Sequence, residues 1–282
     1  MMIPSSLTLL MLIVATSAAA QEPSHQKLQL SNPFFAFDNG TGRGQVPAGE
    51  QAKLLAELGY DGIGFTGAKD IPEMLQALDA HGLKMFSIYV GAYVGDKGPS
   101  FDPDLPAACK TLKGRDTLIW LTIQGQVDDQ DEQAVKVVQQ VADLAQASGL
   151  RVALYPHVGF YVASTEDALR IVNKAQRKNL GVSFNLCHCL RLGNEQKIPE
   201  LLRQAMPQLF AVSINGADHE GDWDRLIQTL DRGQYDVYAL LSLLKKLGYD
   251  GPIGLQCYNI QGDIRENLTR SIKAWKQFQE RE

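Results

Sequence analysis

The sequence has no excess of positive charge, few cysteines and no long internal hydrophobic run. Its 282 residues include 27 Lys and Arg against 32 Asp and Glu, which gives a net charge of −5. A protein that binds a phosphate backbone normally carries a basic surface, so nucleic acid is a poor candidate partner. After residue 20 no apolar stretch reaches membrane-spanning length, and no Pro- and Ser-rich linker divides the chain. These absences favour one domain that neither crosses a membrane nor binds nucleic acid.

The N-terminal segment has the pattern of an export signal. The apolar run LTLLMLIV (7–14) is followed by ATSAAA, and no Lys or Arg precedes it. Ala18 and Ala20 are the small residues expected before cleavage at Gln21, and the run is short for a bilayer span. We therefore predict a signal peptide at 1–20 and a mature domain at 21–282, exported to the periplasm or secreted. An uncleaved membrane tether is the alternative.

The four cysteines are Cys109, Cys187, Cys189 and Cys257. In an oxidising compartment an even number permits disulfides, and the sequence does not decide a pairing. Cys187 and Cys189 flank a histidine. On a strand, two thiols at this spacing are poorly placed to bind one metal ion together, and no second cysteine pair follows as in zinc ribbons. We predict that the cysteines are buried structural thiols.

Eight β-rich apolar runs alternate with amphipathic helical segments along the chain. The runs cover 34–38, 61–65, 83–90, 116–123, 150–155, 180–185, 209–215 and 252–258. One helical pattern covers 48–58 and stops at Gly59, and another starts at Ser164. Strands that alternate with helices are typical of a parallel sheet with crossover connections. Eight units within about 250 residues predict an α/β fold of the (β/α)8 TIM barrel type, rather than an open doubly wound sheet.

In a barrel of this type the active site lies after the carboxyl ends of the strands. The polar residues at those places are Asp38, Asn39, Thr66, Lys69, Tyr89, Tyr93, Gln124, Gln126, Tyr155, His157, Asn185, His188, Asn215, Asp218, His219, Gln256 and Tyr258. Three of the five histidines follow the fifth, sixth and seventh runs. Each has a structural alternative: His157 is also placed to stack on Phe160, His188 to bond a backbone carbonyl, and His219 to lie in a solvated, charged loop.

As a whole, the mature chain resembles the xylose isomerase-like TIM barrel family of sugar phosphate isomerases and epimerases, which also includes zinc endonucleases of abasic-site repair. The most specific stretch is LDRGQYDVYALLSLLKKLGYDGPIGLQCY, at 230–258. ASGLRVALYPH, NLGVSFNLCH and LFAVSINGAD resemble the fifth, sixth and seventh strands of the family. The order and spacing of these segments carry the resemblance.

The resemblance implies a divalent metal at the barrel mouth, held by Glu, Asp, His and Glu from the last four strands. Such a metal polarises a hydroxyketone while carboxylates move a proton. The corresponding residues of this chain are Tyr155, Asn185, Ser213 and Gln256, and only His188 of the Asp-x-x-His pattern is retained. Replacing three carboxylates removes about three of the negative charges that hard divalent cations prefer.

The identity of any cofactor therefore stays open. Mn, Mg or Zn would have to bind through neutral ligands, and the candidates for such a weaker site are His157, His188, Gln256 and Asp218. Without a metal, the pocket would bind sugar hydroxyls through amides, and a neutral histidine would accept a proton near pH 7.

We predict an exported enzyme of the sugar isomerase or epimerase type, which transfers a proton next to a carbonyl of a sugar, keto-sugar or glycoside. The reaction would be an isomerisation, an epimerisation, or an elimination and hydration. The alternative is a carbohydrate-binding barrel without catalysis. Hydrolysis by paired carboxylates is disfavoured, because no Glu or Asp stands at the ends of strands four to six.

These predictions assign roles to particular residues. The predicted catalytic residues are His157, His188, Lys69 and Tyr155. The predicted sugar-binding residues are Asn185, Asn215, Gln256, Asp218, Tyr258 and Gln124. The expected partner is a small carbohydrate, and the sequence gives no oligomeric state.

Overall fold

The computed structural model describes residue 28, residues 30–125 and residues 131–281. The predicted signal peptide and Gln126 lie outside these residues, so export stays a prediction. Among the described residues, no helix combines the length and the apolar character needed to cross a membrane.

The strands form one sheet that closes on itself. In chain order they are β1 (Phe34–Phe37), β2 (Gly62–Thr66), β3 (Lys84–Tyr93), β4 (Ser100–Phe101), β5 (Leu118–Gln124), β6 (Val152–Leu154), β7 (Leu180–Asn185), β8 (Leu209–Ile214) and β9 (Ile253–Leu255). Apart from β4, which pairs antiparallel with β3, each strand lies parallel to the next. β9 pairs with β1, where Phe34 lies opposite Ile253. The eight parallel strands confirm the predicted (β/α)8 barrel.

Helices connect the strands and cover the outside of the barrel. They are α1 (Ala48–Leu58), α2 (Ile71–Ala80), α3 (Leu105–Thr111), α4 (Asp131–Gln146), α5 (Thr165–Ala175), α6 (Leu186–Arg191), α7 (Ile198–Ala205), α8 (Trp223–Leu226), α9 (Val237–Lys246) and α10 (Ile264–Glu280). α1 has the predicted bounds and ends at Gly59 in the left-handed region. α5 begins with a capping box, in which the Ser164 and Asp167 side chains each accept a hydrogen bond from the other's backbone.

Two short helices at the mouth were not predicted. α6 starts directly after β7, so Cys187, His188 and Cys189 lie on a helix and not on a strand. α8 lies within the loop after β8. The last strand is also shorter than predicted, which leaves Gln256 in the loop that follows it. All four cysteines are buried and free, as predicted for structural thiols.

The barrel interior is packed with aromatic side chains. Phe35, Phe37, Trp120 and Tyr155 are buried in one cluster with ring centroids 5.0 to 6.0 Å apart along the chain of contacts. Gly254 on β9 makes room for this layer, because a Cβ there would lie 2.5 Å from the Phe37 ring. The aromatic layer fills the barrel up to its mouth, so the space above it is where polar side chains meet.

Candidate functional site

A cavity of about 330 Å³ opens at the carboxyl ends of the barrel strands. Its lining comprises Phe37, Asn39, Arg43, Gly64, Thr66, Ser87, Tyr89, Trp120, Tyr155, His157, His188, Trp223, Ile227, Gln256 and Tyr258. The volume falls in the range of small-molecule sites. Arg43 is the only Asp, Glu, Lys or Arg among these lining residues.

The floor of the cavity is aromatic. The Trp120 and Tyr155 rings are 5.2 Å apart between centroids, and Tyr89 meets Tyr155 edge to face at 5.1 Å. Burial raises the pKa of Tyr89 to about 12 and that of Tyr155 well above its ordinary value. Both phenols are therefore neutral near pH 7, and the floor offers apolar faces with polar edges.

Three buried polar atoms of the lining have no hydrogen-bond partner among the described residues. They are Oδ1 of Asn39, Oγ of Ser87 and Nε1 of Trp120. The asparagine oxygen accepts, the indole nitrogen donates, and the hydroxyl does either. Leaving such groups unpaired costs about 1–3 kcal/mol each, and together the three atoms offer partners to a bound molecule that has both donors and acceptors.

One wall of the cavity, formed by Asp38, Arg43 and Thr66, is called the charged wall below. Asp38 lies behind the lining and is 1% exposed; it accepts from the Thr66 backbone N–H at 2.7 Å, the Thr66 hydroxyl at 2.8 Å and Arg43 at 3.2 Å. Burial raises the pKa of Asp38, while Thr66 and Arg43 act in the opposite direction. The carboxylate of Asp38 and the guanidinium of Arg43 therefore form an ion pair within this wall.

The opposite wall, formed by His157, His188 and Trp223, is called the histidine wall below. The two imidazole centroids are 4.2 Å apart, and Trp223 meets His188 edge to face at 5.4 Å. The Arg191 guanidinium lies 5.7 Å from the centroid of the Trp223 ring, within the range of a cation–π contact. Burial lowers the pKa of His157, and burial together with His157 lowers the pKa of His188 to about 3. Both rings are thus neutral near pH 7.

The residues at the expected metal-ligand positions bond to each other and to the backbone. Oε1 of Gln256 accepts from Nδ2 of Asn39 at 2.7 Å and from the backbone N–H groups of Cys257 and Tyr258 at 3.0 and 2.9 Å. Nε2 of Gln256 donates to the Tyr155 hydroxyl at 3.4 Å. The oxygen that replaces the last carboxylate is therefore fully used within the protein.

Asn185 and Ser213 form a second neutral pair. The Ser213 hydroxyl donates to Oδ1 of Asn185 at 2.9 Å, and Nδ2 of Asn185 donates to the Pro156 carbonyl at 2.9 Å. Both side chains are buried.

These donors do not fit a hard divalent cation. Such an ion prefers anionic oxygens with free lone pairs, whereas these positions offer a neutral phenol, two amides and a hydroxyl already in hydrogen bonds. Within the described ranges no three His, Cys, Asp or Glu side chains cluster as metal ligands. Asp218 is turned toward Arg225, 2.8 Å away, so it does not complete the weaker ligand set that the sequence suggested.

Five of the residues with predicted catalytic or sugar-binding roles line the cavity, together with the strand-end candidates Asn39, Thr66 and Tyr89. The five are Tyr155, His157, His188, Gln256 and Tyr258. Phe160 also stacks on His157 at 4.1 Å, as the structural interpretation of that histidine predicted, so the ring has both a packing contact and a place in the cavity.

The other residues with predicted catalytic or sugar-binding roles do not line this cavity. Lys69 is 77% exposed at the rim and pairs with Asp104 at 3.5 Å. The side-chain amides of Asn185 and Asn215 donate to backbone carbonyl oxygens. Gln124 ends β5 beside Gly91.

Sequence reasoning missed Ser87, Trp120 and Trp223. The first two lie in the middle of strands, on positions that face into the barrel, and alternation within the predicted runs 83–90 and 116–123 would have indicated them. Trp223 is carried by the short helix α8, which has no clear pattern in the sequence.

The family is decided by a direct match. Residues 52–278 match the model of the xylose isomerase-like TIM barrel family. The chain belongs to this family.

Similar proteins share the fold at low sequence identity. The IolI protein, whose structure contains a zinc atom, is 18% identical, with a TM-score of 0.71 and coverage of 87% of this chain and 97% of that chain. A 3-keto-D-glucoside 4-epimerase from E. coli is 16% identical, with a TM-score of 0.68 and coverage of 88% and 99%. D-allulose 3-epimerase from Methylomonas sp., in complex with D-allulose, is 17% identical, with a TM-score of 0.71 and coverage of 90% and 99%.

One curated relative matches part of the chain. An uncharacterized protein of Methanocaldococcus jannaschii is 25% identical over 131 residues, which are 45% of this chain and 44% of the relative. The chain thus spans less than half of the length of that protein.

Proposed function

We propose that this protein binds a neutral sugar or keto-sugar in the barrel cavity and transfers a proton next to its carbonyl group. The class of reaction is isomerisation or epimerisation, or elimination and hydration of a keto-glycoside. The observation that carries the proposal is the set of unpartnered buried atoms on Asn39, Ser87 and Trp120.

The chemistry of a sugar matches this lining. Sugar hydroxyls donate and accept, which pairs them with an amide oxygen, a hydroxyl and an indole N–H. The C–H faces of a sugar ring are apolar and suit the faces of Trp120 and Tyr155. The charge of Arg43 is already paired with that of Asp38, so the lining favours a neutral ligand over an ionic one.

The proton transfer is supported by the histidine wall. His157 and His188 line the same cavity as the unpartnered atoms, and both rings are neutral near pH 7. A neutral imidazole accepts a proton within hydrogen-bond reach of its substrate. The names of several structural neighbours, among them a keto-glucoside epimerase and an allulose epimerase, add support for a sugar substrate.

Hydrogen exchange in deuterated water tests the proposal. The protein is incubated with 3-keto-glycosides and with simple ketoses, and deuterium at carbons beside the carbonyl is followed by NMR, with and without a chelator. We expect exchange faster than in buffer for at least one sugar and no loss on chelation, because the donor set does not fit a divalent cation.

The second candidate function is a carbohydrate-binding barrel without catalysis. It is favoured by the neutral residues Tyr155, Asn185 and Gln256, which stand where the resemblance to the family implies carboxylates. Sugar binding by calorimetry together with no exchange above buffer would establish that function instead. Loss of exchange on chelation, restored by Mn, Mg or Zn, would contradict the fit of the donors described above.

A further inference from the structure

One backbone residue, Val158, contacts both histidines of the cavity. Nδ1 of His157 lies 2.9 Å from the Val158 carbonyl oxygen. The backbone N–H of Val158 donates to Nδ1 of His188 at 3.4 Å. A carbonyl oxygen only accepts and an N–H only donates, so the same residue makes opposite demands on the two rings.

These demands set opposite tautomers. A neutral imidazole has one N–H and one nitrogen lone pair. His157 must carry its hydrogen on Nδ1, which leaves the lone pair on Nε2. His188 accepts from the Val158 N–H at Nδ1 across the longer contact of 3.4 Å, which puts its hydrogen on Nε2. Neither Nε2 atom has a hydrogen-bond partner among the described residues.

Packing restricts the planes of the two rings. Phe160 stacks on His157 with an interplanar angle of 17°, and His188 is enclosed by the edges of Tyr155 at 5.8 Å and Trp223 at 5.4 Å. The cavity therefore presents one imidazole that accepts a hydrogen and, 4.2 Å away between centroids, one that donates a hydrogen.

We infer that the two histidines have different roles in the proposed reaction, with Nε2 of His157 as the base and Nε2–H of His188 as the donor to the carbonyl oxygen. This inference rests on the proposed function. The C–H bond beside the carbonyl breaks, and its proton bonds to Nε2 of His157. The electron pair forms the C=C bond of an enolate, whose oxygen accepts the hydrogen bond from His188. The His157 imidazolium then returns a proton to carbon, which regenerates the base.

Glutamine substitutions separate the two roles. A glutamine at 188 still supplies an amide N–H, whereas a glutamine at 157 supplies no base. We expect His157→Gln to lower the rate of deuterium exchange by about 100-fold or more, and His188→Gln to lower it by less than about tenfold. His81→Gln is the matched control, because His81 is an exposed histidine at the end of α2.

The reverse order of the two losses would overturn the inference, as would exchange that survives His157→Gln. Should His157→Gln unfold, His157→Asn replaces it, since a shorter amide offers a donor for the Val158 carbonyl and still lacks a base. Circular dichroism and the urea midpoint establish that each variant is folded.

A second measurement needs no sugar. Nitrogen-15 NMR of the histidine side chains reads the tautomer of each ring, and the two variants assign the signals. We expect hydrogen on Nδ1 of His157 and on Nε2 of His188. The same tautomer in both rings, or the reverse assignment, overturns the inference. Absence of exchange in the wild-type protein with every sugar instead removes the proposed function, and the assigned roles fall with it.

Discussion

The two walls of the barrel cavity use polar side chains in opposite ways. On the charged wall, Asp38 and Arg43 bond to each other and to Thr66. On the histidine wall, the rings of His157 and His188 carry no charge near pH 7, and their Nε2 atoms have no partner among the described residues. From this comparison we expect the charges of the charged wall to stabilise the barrel and the neutral histidine wall to contact the ligand.

The largest expected effect concerns the stability of the charged wall. Asp38→Ala leaves the part-buried backbone N–H of Thr66 without its acceptor and removes the partner of Arg43. We expect the free energy of unfolding to fall by about 3 kcal/mol in urea titrations near pH 7. Lys69→Ala is the control, since it breaks only an exposed pair with Asp104 and should change stability by less than about 0.5 kcal/mol.

Lys69→Ala also tests the sequence-based prediction that Lys69 is catalytic, because the structure places this residue outside the cavity lining. We expect it to leave hydrogen exchange unchanged, because the side chain is at the rim. Equal losses of stability in Asp38→Ala and Lys69→Ala would remove the distinction between a buried charge network and an exposed pair.

The next effect is a pH dependence that belongs to the histidine wall. The pKa of His188 is about 3 in the folded protein and about 6.5 in an unfolded chain. Below about pH 6.5 the unfolded state therefore binds a proton that the folded state excludes, so stability is complete above that pH and falls as the pH drops toward 3.

Between about pH 7.5 and pH 5 this one group should lower the free energy of unfolding by about 2 kcal/mol. His188→Gln should reduce the pH-dependent loss by that amount, measured by urea unfolding of both proteins at both pH values. Equal losses in the wild-type protein and in the variant would show that His188 does not titrate as a buried neutral group.

The smallest effect tests the unpartnered atoms. Ser87→Ala removes a buried hydroxyl that has no partner among the described residues, so stability should not fall. If the hydroxyl contacts the ligand, sugar affinity should drop by about two- to tenfold in calorimetry, which is the usual worth of one neutral hydrogen bond. Ser148→Ala, beyond the end of α4, is the control and should not change affinity. A loss of stability without a loss of affinity would make Ser87 structural.

The barrel itself was predictable because its signals are local. The helix 48–58 has an amphipathic pattern and ends at a glycine, and Ser164 is a typical N-cap residue. The position of the first helix and the start of the second were therefore predicted correctly. The alternation of eight strands and helices then allows only a few ways to connect the sheet, since parallel strands need crossover connections. α6 was missed because LCHCLR follows a buried strand directly and is too short to show a helical repeat.

The site was predictable only in part, because the same residue type has different partners in different folds. His157, His188 and Gln256 come together as the barrel topology requires. Asn215 follows its strand in the same way, yet its amide bonds the carbonyls of Gly216 and Leu226. Whether an amide faces a cavity or a backbone carbonyl depends on the path of a loop, which the sequence pattern does not encode.

The central claim is that the unpartnered atoms of the cavity are contacts for a sugar. A crystal structure of the protein with a keto-sugar that it exchanges tests this most directly. The account predicts the sugar above Trp120 and Tyr155, with its oxygens within hydrogen-bond distance of Asn39 Oδ1, Ser87 Oγ and Trp120 Nε1. A sugar bound outside the barrel mouth, with those three atoms still unpaired, would contradict it.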